Sequence, residues 1–371
     1  MNAFRRGYSI ASETLKPEMT TEYEAGINLQ FFNGRIGIDA AYYNRTTSDQ
    51  IFPISIEPAT GYSSMVSNAG TVRNSGVELV LDVTPVLTKD FRWDLSFNFA
   101  KNKSLVVDLP AELGEKFELD RFSTSGTKDQ VSLYAEKGKP FGTYWTYLPT
   151  YVEDGPYKGK LIVDENGYPV YNDALTPTGF DANYDWTGGL TTSFSYKGLS
   201  ISAALDIRKG GKMFSRTKNL MEFTGNGIIT TYNDRNPFVI PNSAMQVKDD
   251  DGKVIGYTEN TVPIYTNNST YQTYFDEYGA GEGRLFYLVD RSFVKLRNVA
   301  ITYSLPKKWI GPLAGVSVSA FVNNAFTWTA KDNYYIDPET TNMGTDTDGL
   351  MGETYVNPSC RIYGFNLNVK F

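Results

Sequence analysis

Along much of this chain apolar and polar residues alternate one by one, the period of a strand whose two faces meet different surroundings. The last stretch, Arg361 to Phe371, sets Tyr363, Phe365, Leu367, Val369 and Phe371 on one face, and Gly364, Asn366, Asn368 and Lys370 on the other. Chain ends are usually frayed and polar, because few terminal residues bury enough surface to offset the entropy of ordering them. Here the alternation persists to the final residue, so one face of this strand meets something apolar and the other meets water.

The segment from Glu22 to Arg45 holds Asn33-Gly34, the dipeptide a type I′ hairpin prefers because both central residues need positive φ. Folding there pairs Phe31 with Ile36, Leu29 with Ile38, Ile27 with Ala40 and Ala25 with Tyr42. The opposite face collects Gln30 with Gly37, Asn28 with Asp39, Glu24 with Tyr43 and Glu22 with Arg45. One register sorts both strands into a dry and a wet face.

The pattern recurs. Val77, Leu79, Leu81 and Val83 are followed by a short PVLTKD connection and by Phe91, Trp93, Leu95, Phe97 and Phe99. A turn at Lys197-Gly198 sets Leu190, Phe194 and Tyr196 against Leu199, Ile201 and Leu205. Val299, Ile301 and Tyr303 lead through a short connection to Val316, Val318, Ala320 and Val322. With the terminal strand this predicts nine strands. Between the hairpins lie long connections, at about 46–74, 102–187, 210–290 and 329–358. Strict alternation of short and long connections is the signature of an outer-membrane barrel, with short periplasmic turns and long extracellular loops.

The expected fold is therefore all-β, an antiparallel transmembrane β-barrel whose dry face meets lipid. Trp93, Tyr196, Tyr303, Trp309 and Phe371 fall near the short-turn end, and Tyr42, Trp186, Trp328 and Tyr363 near the other, as two aromatic girdles would. An odd strand count with an extracellular start implies the C-terminal piece of a longer chain, since closed single-chain bacterial barrels have even strand numbers and both ends inside.

Composition narrows function mainly by exclusion. The 371 residues carry 26 Tyr, 22 Phe and 5 Trp at a mean hydropathy of -0.35. No run approaches the ~20 apolar residues of a membrane helix, and the N-terminus MNAFRRGYSIASETLKP has no apolar core of a signal peptide. Formal net charge is -7, so no basic field is available for nucleic acid. The chain has no histidine, which removes Ser-His-Asp and Cys-His catalysis and histidine-bearing zinc sites, and the single Cys360 has no partner for an internal disulfide.

Five stretches in order resemble the SusC/RagA family of TonB-dependent outer-membrane transporters of Bacteroidetes. They are LKPEMTTEYEAGI (Leu15 to Ile27), NAGTVRNSGVELVL (Asn68 to Leu81), WTGGLTTSFSYKGLSIS, DRSFVKLRNVAITYSLP and FVNNAFTWTAKDNYYIDPE. The resemblance implies the C-terminal strands of a large barrel of about 22 strands, without signal peptide, TonB box, plug or earlier strands. It implies import of glycan fragments or peptides at the outer membrane, with a SusD-like lipoprotein as lid and TonB-ExbB-ExbD acting through the missing N-terminal part. The terminal Phe371 is similar to the signal read by the barrel-assembly machinery, and its strand would close the barrel against the barrel's first strand. No cofactor or metal is implied.

Candidate contacts fall into two groups. In the last long loop, Tyr334, Tyr335, Asp337 and Glu339 combine aromatic faces that stack on sugars with carboxylates that bond hydroxyls, a set for ligand or lid contact. Asp346 and Asp348 lack the spacing of an EF-hand. Facing the lumen, Glu24, Asp39, Glu78, Asp82, Arg92 and Asp94, with Arg45, would hydrate the interior and brace a plug. Tyr144, Trp145, Tyr147 and Tyr151 form an aromatic patch read as covering its own loop core, and KDDDGKVIGY (248–257) reads as a hairpin tip. Three other readings remain: a soluble β-rich carbohydrate-binding or adhesive module, a siderophore-type TonB-dependent receptor, and a carboxylate-pair glycosidase, for which adjacent loop carboxylates are poor support.

Overall fold

A computed structural model describes residues 9–56, 58–62, 64–123, 128–265, 268–341 and 347–371. Nine strands form one antiparallel sheet in chain order: β1 (Met19–Phe31), β2 (Ile36–Ser48), β3 (Thr71–Leu87), β4 (Phe91–Asp108), β5 (Trp186–Tyr196), β6 (Leu199–Lys209), β7 (Phe293–Ser304), β8 (Gly315–Thr329) and β9 (Ile362–Lys370). Each strand follows its neighbour as a meander, and β1 and β9 each have one partner, so the sheet is open.

The registers follow the hydrophobic pattern. Phe31 pairs with Ile36, Leu29 with Ile38, Ile27 with Ala40 and Ala25 with Tyr42. Asn33 and Gly34 carry φ of 56° and 80°, as type I′ requires, and the Arg35 N–H closes the turn on the Phe32 carbonyl at 3.3 Å. Lys197 and Gly198, at 45° and 90°, make the second such turn and set Tyr196 on Leu199, Phe194 on Ile201 and Leu190 on Leu205. The dry rows then run across the sheet, for example Ile201 on Ile301, Ile301 on Ala320 and Ala320 on Phe365.

Those dry rows are exposed. Ile27, Phe97, Ile301, Val318, Phe365 and Leu367 all present large apolar surface, which in water would be an aggregation liability and in a bilayer is the lipid face. The buried core lies instead in the connections. Val131, Leu133, Tyr144, Ala182, Phe214, Tyr287, Leu288 and Met351 pack together from three of the long loops. A barrel wall cannot bury its outer face, so the loops supply their own core.

The long connections are 49–70, 109–185, 210–292 and 330–361, the first two shorter than the pattern predicts. Strands β2, β3 and β4 continue past the apolar band because their polar outer residues stay paired in the ladder. Within 109–185, the strands Lys116–Phe122, Val131–Glu136, Thr143–Thr146 and Thr176–Asp181 pair with one another and add nothing to the nine. The predicted tip at 248–257 is a hairpin of Ser243–Lys248 and Val254–Glu259, closed by Asp249, whose Oδ1 accepts the Lys253 N–H at 2.8 Å.

The motif stretches have local structural work. Asn68 accepts the Lys16 N–H at 2.8 Å and donates to the carbonyls of Lys16 and Asp49, while Glu18 accepts the Ile51 N–H at 2.7 Å. These bonds tie the LKPE segment to the first long loop. Further along, the Tyr43 ring crosses Gly76, its hydroxyl donating to Asn102 at 3.1 Å, and Asn102 donates to Asn74 at 3.1 Å. A Cβ on Gly76 would stand 2.5 Å from the Lys101 carbonyl oxygen and 2.6 Å from the Tyr43 hydroxyl. Gly76→Ala is expected to destabilise the barrel by about 1–3 kcal/mol, because the backbone must move to admit the methyl; the midpoint of heat-induced loss of compact gel mobility measures it.

Candidate functional site

The polar face of the sheet carries the predicted lumen residues on adjacent strands. Glu22 pairs with Arg45 at 2.9 Å, Asn28 donates to Asp39 at 2.9 Å, and Arg92 pairs with Asp94 at 2.6 Å. Asp94 also accepts from Thr84 at 2.8 Å. Glu24 and Glu78 line a cavity of about 430 Å³ with Glu22, Tyr43, Arg45 and Asn102. Asp82 stands opposite Gly37 and Ser96, on the same face.

On the same polar face, farther along the sheet, a second polar cluster forms where β7 is irregular. Against β6 the partners of Leu296 and Asn298 are the adjacent Leu205 and Ala204, so Arg297 is the bulged residue there, while on the other side β8 sets Asn324 and Ala325 between Asn323 and Phe326. A bulge re-aims its side chain, and Arg297 reaches Asp206 on β6 and Glu339 in the last loop. Lys295, whose side chain is only 4% exposed, lies between Asp337 and Glu339. Arg208 adds a third cation, 2.9 Å from Glu339. The segment from Asp332 to Thr341 is thereby drawn onto the polar face, helped by Lys212 on Asp332 at 3.0 Å.

Asp337 and Glu339 are thus engaged by cations of the barrel wall. Burial raises the Glu339 carboxyl, but hydrogen bonds from Arg297 and Lys295, and then their charges, outweigh it and bring it down to about 2. A carboxyl held below its ordinary 4.5 stabilises the fold fully above that value and loses the contribution as pH falls toward about 2. Protease resistance of the 332–341 segment is therefore expected to hold at neutral pH and fall between those limits, on the order of 3 kcal/mol in all. A Glu339→Gln variant should lack that part of the pH response.

Tyr334 and Tyr335 pack edge to face at 4.5 Å, and both hydroxyls donate to Glu222 Oε1, at 3.4 and 3.2 Å. Glu222 lies on α1 (Arg216–Phe223), which Ser215 caps by accepting the Lys218 N–H. Burial pushes the Glu222 carboxyl up against the two tyrosine hydrogen bonds and the Lys218 charge. Lys218 is itself lowered by burial. Burial also raises Tyr335, to about 12. Tyr334 keeps 42% of its surface exposed, and Ile228 and Tyr232 beside the pair are more exposed still. Asp346 and the Asp348 side chain lie outside the described residues.

The loop patch divides. Tyr144 is fully buried, its hydroxyl directed at the carbonyls of Leu350 and Met351 at 2.9 and 3.0 Å, whereas Tyr151 is exposed. Sequence reasoning passed over Lys295, Arg297, Arg208 and Glu222. The signal was present in VKLRNVA, two cations inside an otherwise apolar strand, close in sequence to a loop rich in Asp and Glu.

Comparison with known proteins bears on this wall of strands. The family described as "TonB dependent receptor-like, beta-barrel" matches residues 2–325. The chain belongs to that family. It is 24% identical to TonB-dependent receptor P3 of Formosa agariphila over 97% of this chain and 35% of that protein. It is 30% identical to TonB-dependent receptor SusC of Bacteroides thetaiotaomicron over 52% of this chain and 20% of that protein. A solved RagAB peptide transporter superposes with a TM-score of 0.62 at 23% identity, over 95% of this chain and 35% of that chain. The matches agree with the SusC/RagA resemblance read from the motifs. The chain spans about a third of the length of the receptors it matches almost throughout. This TonB-dependent receptor barrel is an outer-membrane chain, and the relatives it matches are named receptors.

Proposed function

We propose that this chain forms the C-terminal wall of a TonB-dependent importer that takes up glycan fragments or peptides. A SusD-like lipoprotein serves as its extracellular lid, and TonB-ExbB-ExbD acts through a more N-terminal part of the receptor. The observation that carries this reading is the two-sidedness of the sheet, apolar outside and ion-paired inside, with the 332–341 segment anchored on the inner side. An exposed apolar band tells against a soluble binding module.

Of the four loop residues, Tyr334 and Tyr335 have surface left for ligand or lid, and Asp337 and Glu339 hold the loop that presents them. Glu24, Asp39, Glu78, Asp82, Arg92 and Asp94 face a plug. Phe371, almost wholly exposed at the end of the outer row, is offered to the barrel-assembly machinery, so its deletion lowers the amount of inserted barrel more than the stability of what is inserted.

The test is uptake of labelled oligosaccharide and oligopeptide pools by cells carrying the full receptor. Uptake that stops on loss of TonB or of the lid lipoprotein, and falls in a Tyr334→Ala, Tyr335→Ala variant, supports the reading. Uptake indifferent to TonB overturns it.

A further inference from the structure

On the nine strands the outer face carries charge only toward the long-loop end. From the short-turn end up to the level of Arg73, no Asp or Glu occupies an outward position on any of the nine strands among the described residues. Outward cations appear in that interval only at its long-loop end. One ladder row runs from Tyr42 through Val77 to Lys101, and the next strands place Trp186 beside Lys101 and Lys209 opposite Trp186. One row higher, Asn44 and Ser75 lead to Lys103, and above that Thr46 faces Arg73.

All four cations are exposed, and none makes an ion pair among the described residues. Arg361, just before β9, joins them on the outside, its guanidinium 5.2 Å from the Phe326 ring. Asp108, at the tip of β4, is paired with Lys137 at 2.7 Å. At the short-turn end several cations are bound by their own or a neighbouring turn. Arg35 donates to the Thr84 and Pro85 carbonyls, Lys307 donates to the Leu313 carbonyl, and Lys197 lies 3.8 Å from Asp90.

The height of the row is informative. From Phe91 to Lys101 β4 advances about 33 Å, or about 25 Å along the membrane normal at a tilt of about 40°. That equals the apolar band of an outer-membrane barrel, so Lys101 reaches the headgroup level, and Lys103 and Arg73 stand just above it. A lysine or arginine there lays its stem along the apolar surface and holds its charge among polar lipid groups.

We propose that Arg73, Lys101, Lys103 and Lys209 form a belt that binds the phosphate groups of anionic glycolipid in the outer leaflet. Phosphate fits because it is a compact, multiply charged acceptor at the depth where four cations lack an ion-pair partner among the described residues. Lipid held this way would fix the height of β3 to β6 in the membrane.

The test uses the full receptor in mild detergent, with monophosphoryl lipid A or its dephosphorylated form added, and reads retained lipid by native mass spectrometry. Wild type is expected to retain the phosphorylated form selectively. Retention should fall about fivefold for each cation removed in Lys103→Gln, in Lys209→Gln and in the combined Arg73→Gln, Lys101→Gln, Lys103→Gln, Lys209→Gln variant. Lys308→Gln, at the opposite end, should leave it unchanged. Heat-modifiable gel mobility shows which variants remain folded, and the two single variants carry the test if the combined one does not. Equal retention of the dephosphorylated lipid, or unchanged retention in the folded belt variants, overturns the proposal. So does a belt that captures an acidic polysaccharide and no phosphorylated lipid.

Discussion

In a Lys295→Ala variant the segment from Asp332 to Thr341 is expected to come away from the barrel wall. The Lys295 ammonium stands between Asp337 and Glu339, and its side chain and that of Asp337 are both nearly buried. Removing it leaves Asp337 without its cation, and breaking a buried pair from one side costs about 3–5 kcal/mol. Arg297 and Arg208 still hold Glu339, so the segment should loosen from its Asp337 side while the barrel stays folded. Protease cleavage within 332–341, compared with unchanged heat-modifiable mobility, measures this. Adding Asp337→Asn should recover part of the loss, because the orphaned charge is then gone. If the double variant is as weak as the single, the pair is not what holds the segment.

Arg284→Ala is the second large effect. Arg284 is fully buried, its Nε donating to the Asp129 carbonyl at 2.7 Å, with Asp129 Oδ2 at 3.3 Å and Asp276 Oδ1 at 3.5 Å. It therefore joins the 109–185 connection to α2 (Asn268–Asp276) in the 210–292 connection. The alanine variant takes away the buried cation that faces Asp129, which is 2% exposed, again for about 3–5 kcal/mol. Arg284→Lys should rescue little, since one ammonium cannot reproduce the fork of donors. Near-ultraviolet circular dichroism of the aromatic-rich loops should collapse at lower temperature, while the far-ultraviolet strand signal keeps its own transition. One shared transition shifted in both signals would mean that loops and barrel melt as a unit.

What was legible beforehand is what depends on near neighbours. Asn33-Gly34 and Lys197-Gly198 set their turns, and the alternation on either side set the registers, since a slip by one residue would have turned Ile27, Leu29 and Phe31 into water. The candidate loop residues were legible as types but not as roles. Asp337 and Glu339 read as ligands for a sugar because nothing within their own loop neutralises them. Their partners, Lys295 and Arg297, lie on another element.

By itself the amino-acid sequence determined the nine strands, their order, their two faces and the alternation of short and long connections. Those features are encoded in period-2 patterning and two-residue turns, which act over a few residues. Only the tertiary structure decided how the charges of the loops and of distant strands pair. The Arg297 bulge, the lysine between two loop carboxylates, the buried Arg284 and the cation row beside Trp186 each join residues far apart in the chain. A charge's role follows from its desolvation and its nearest opposite charge, and neither exists until the strands and loops have come together.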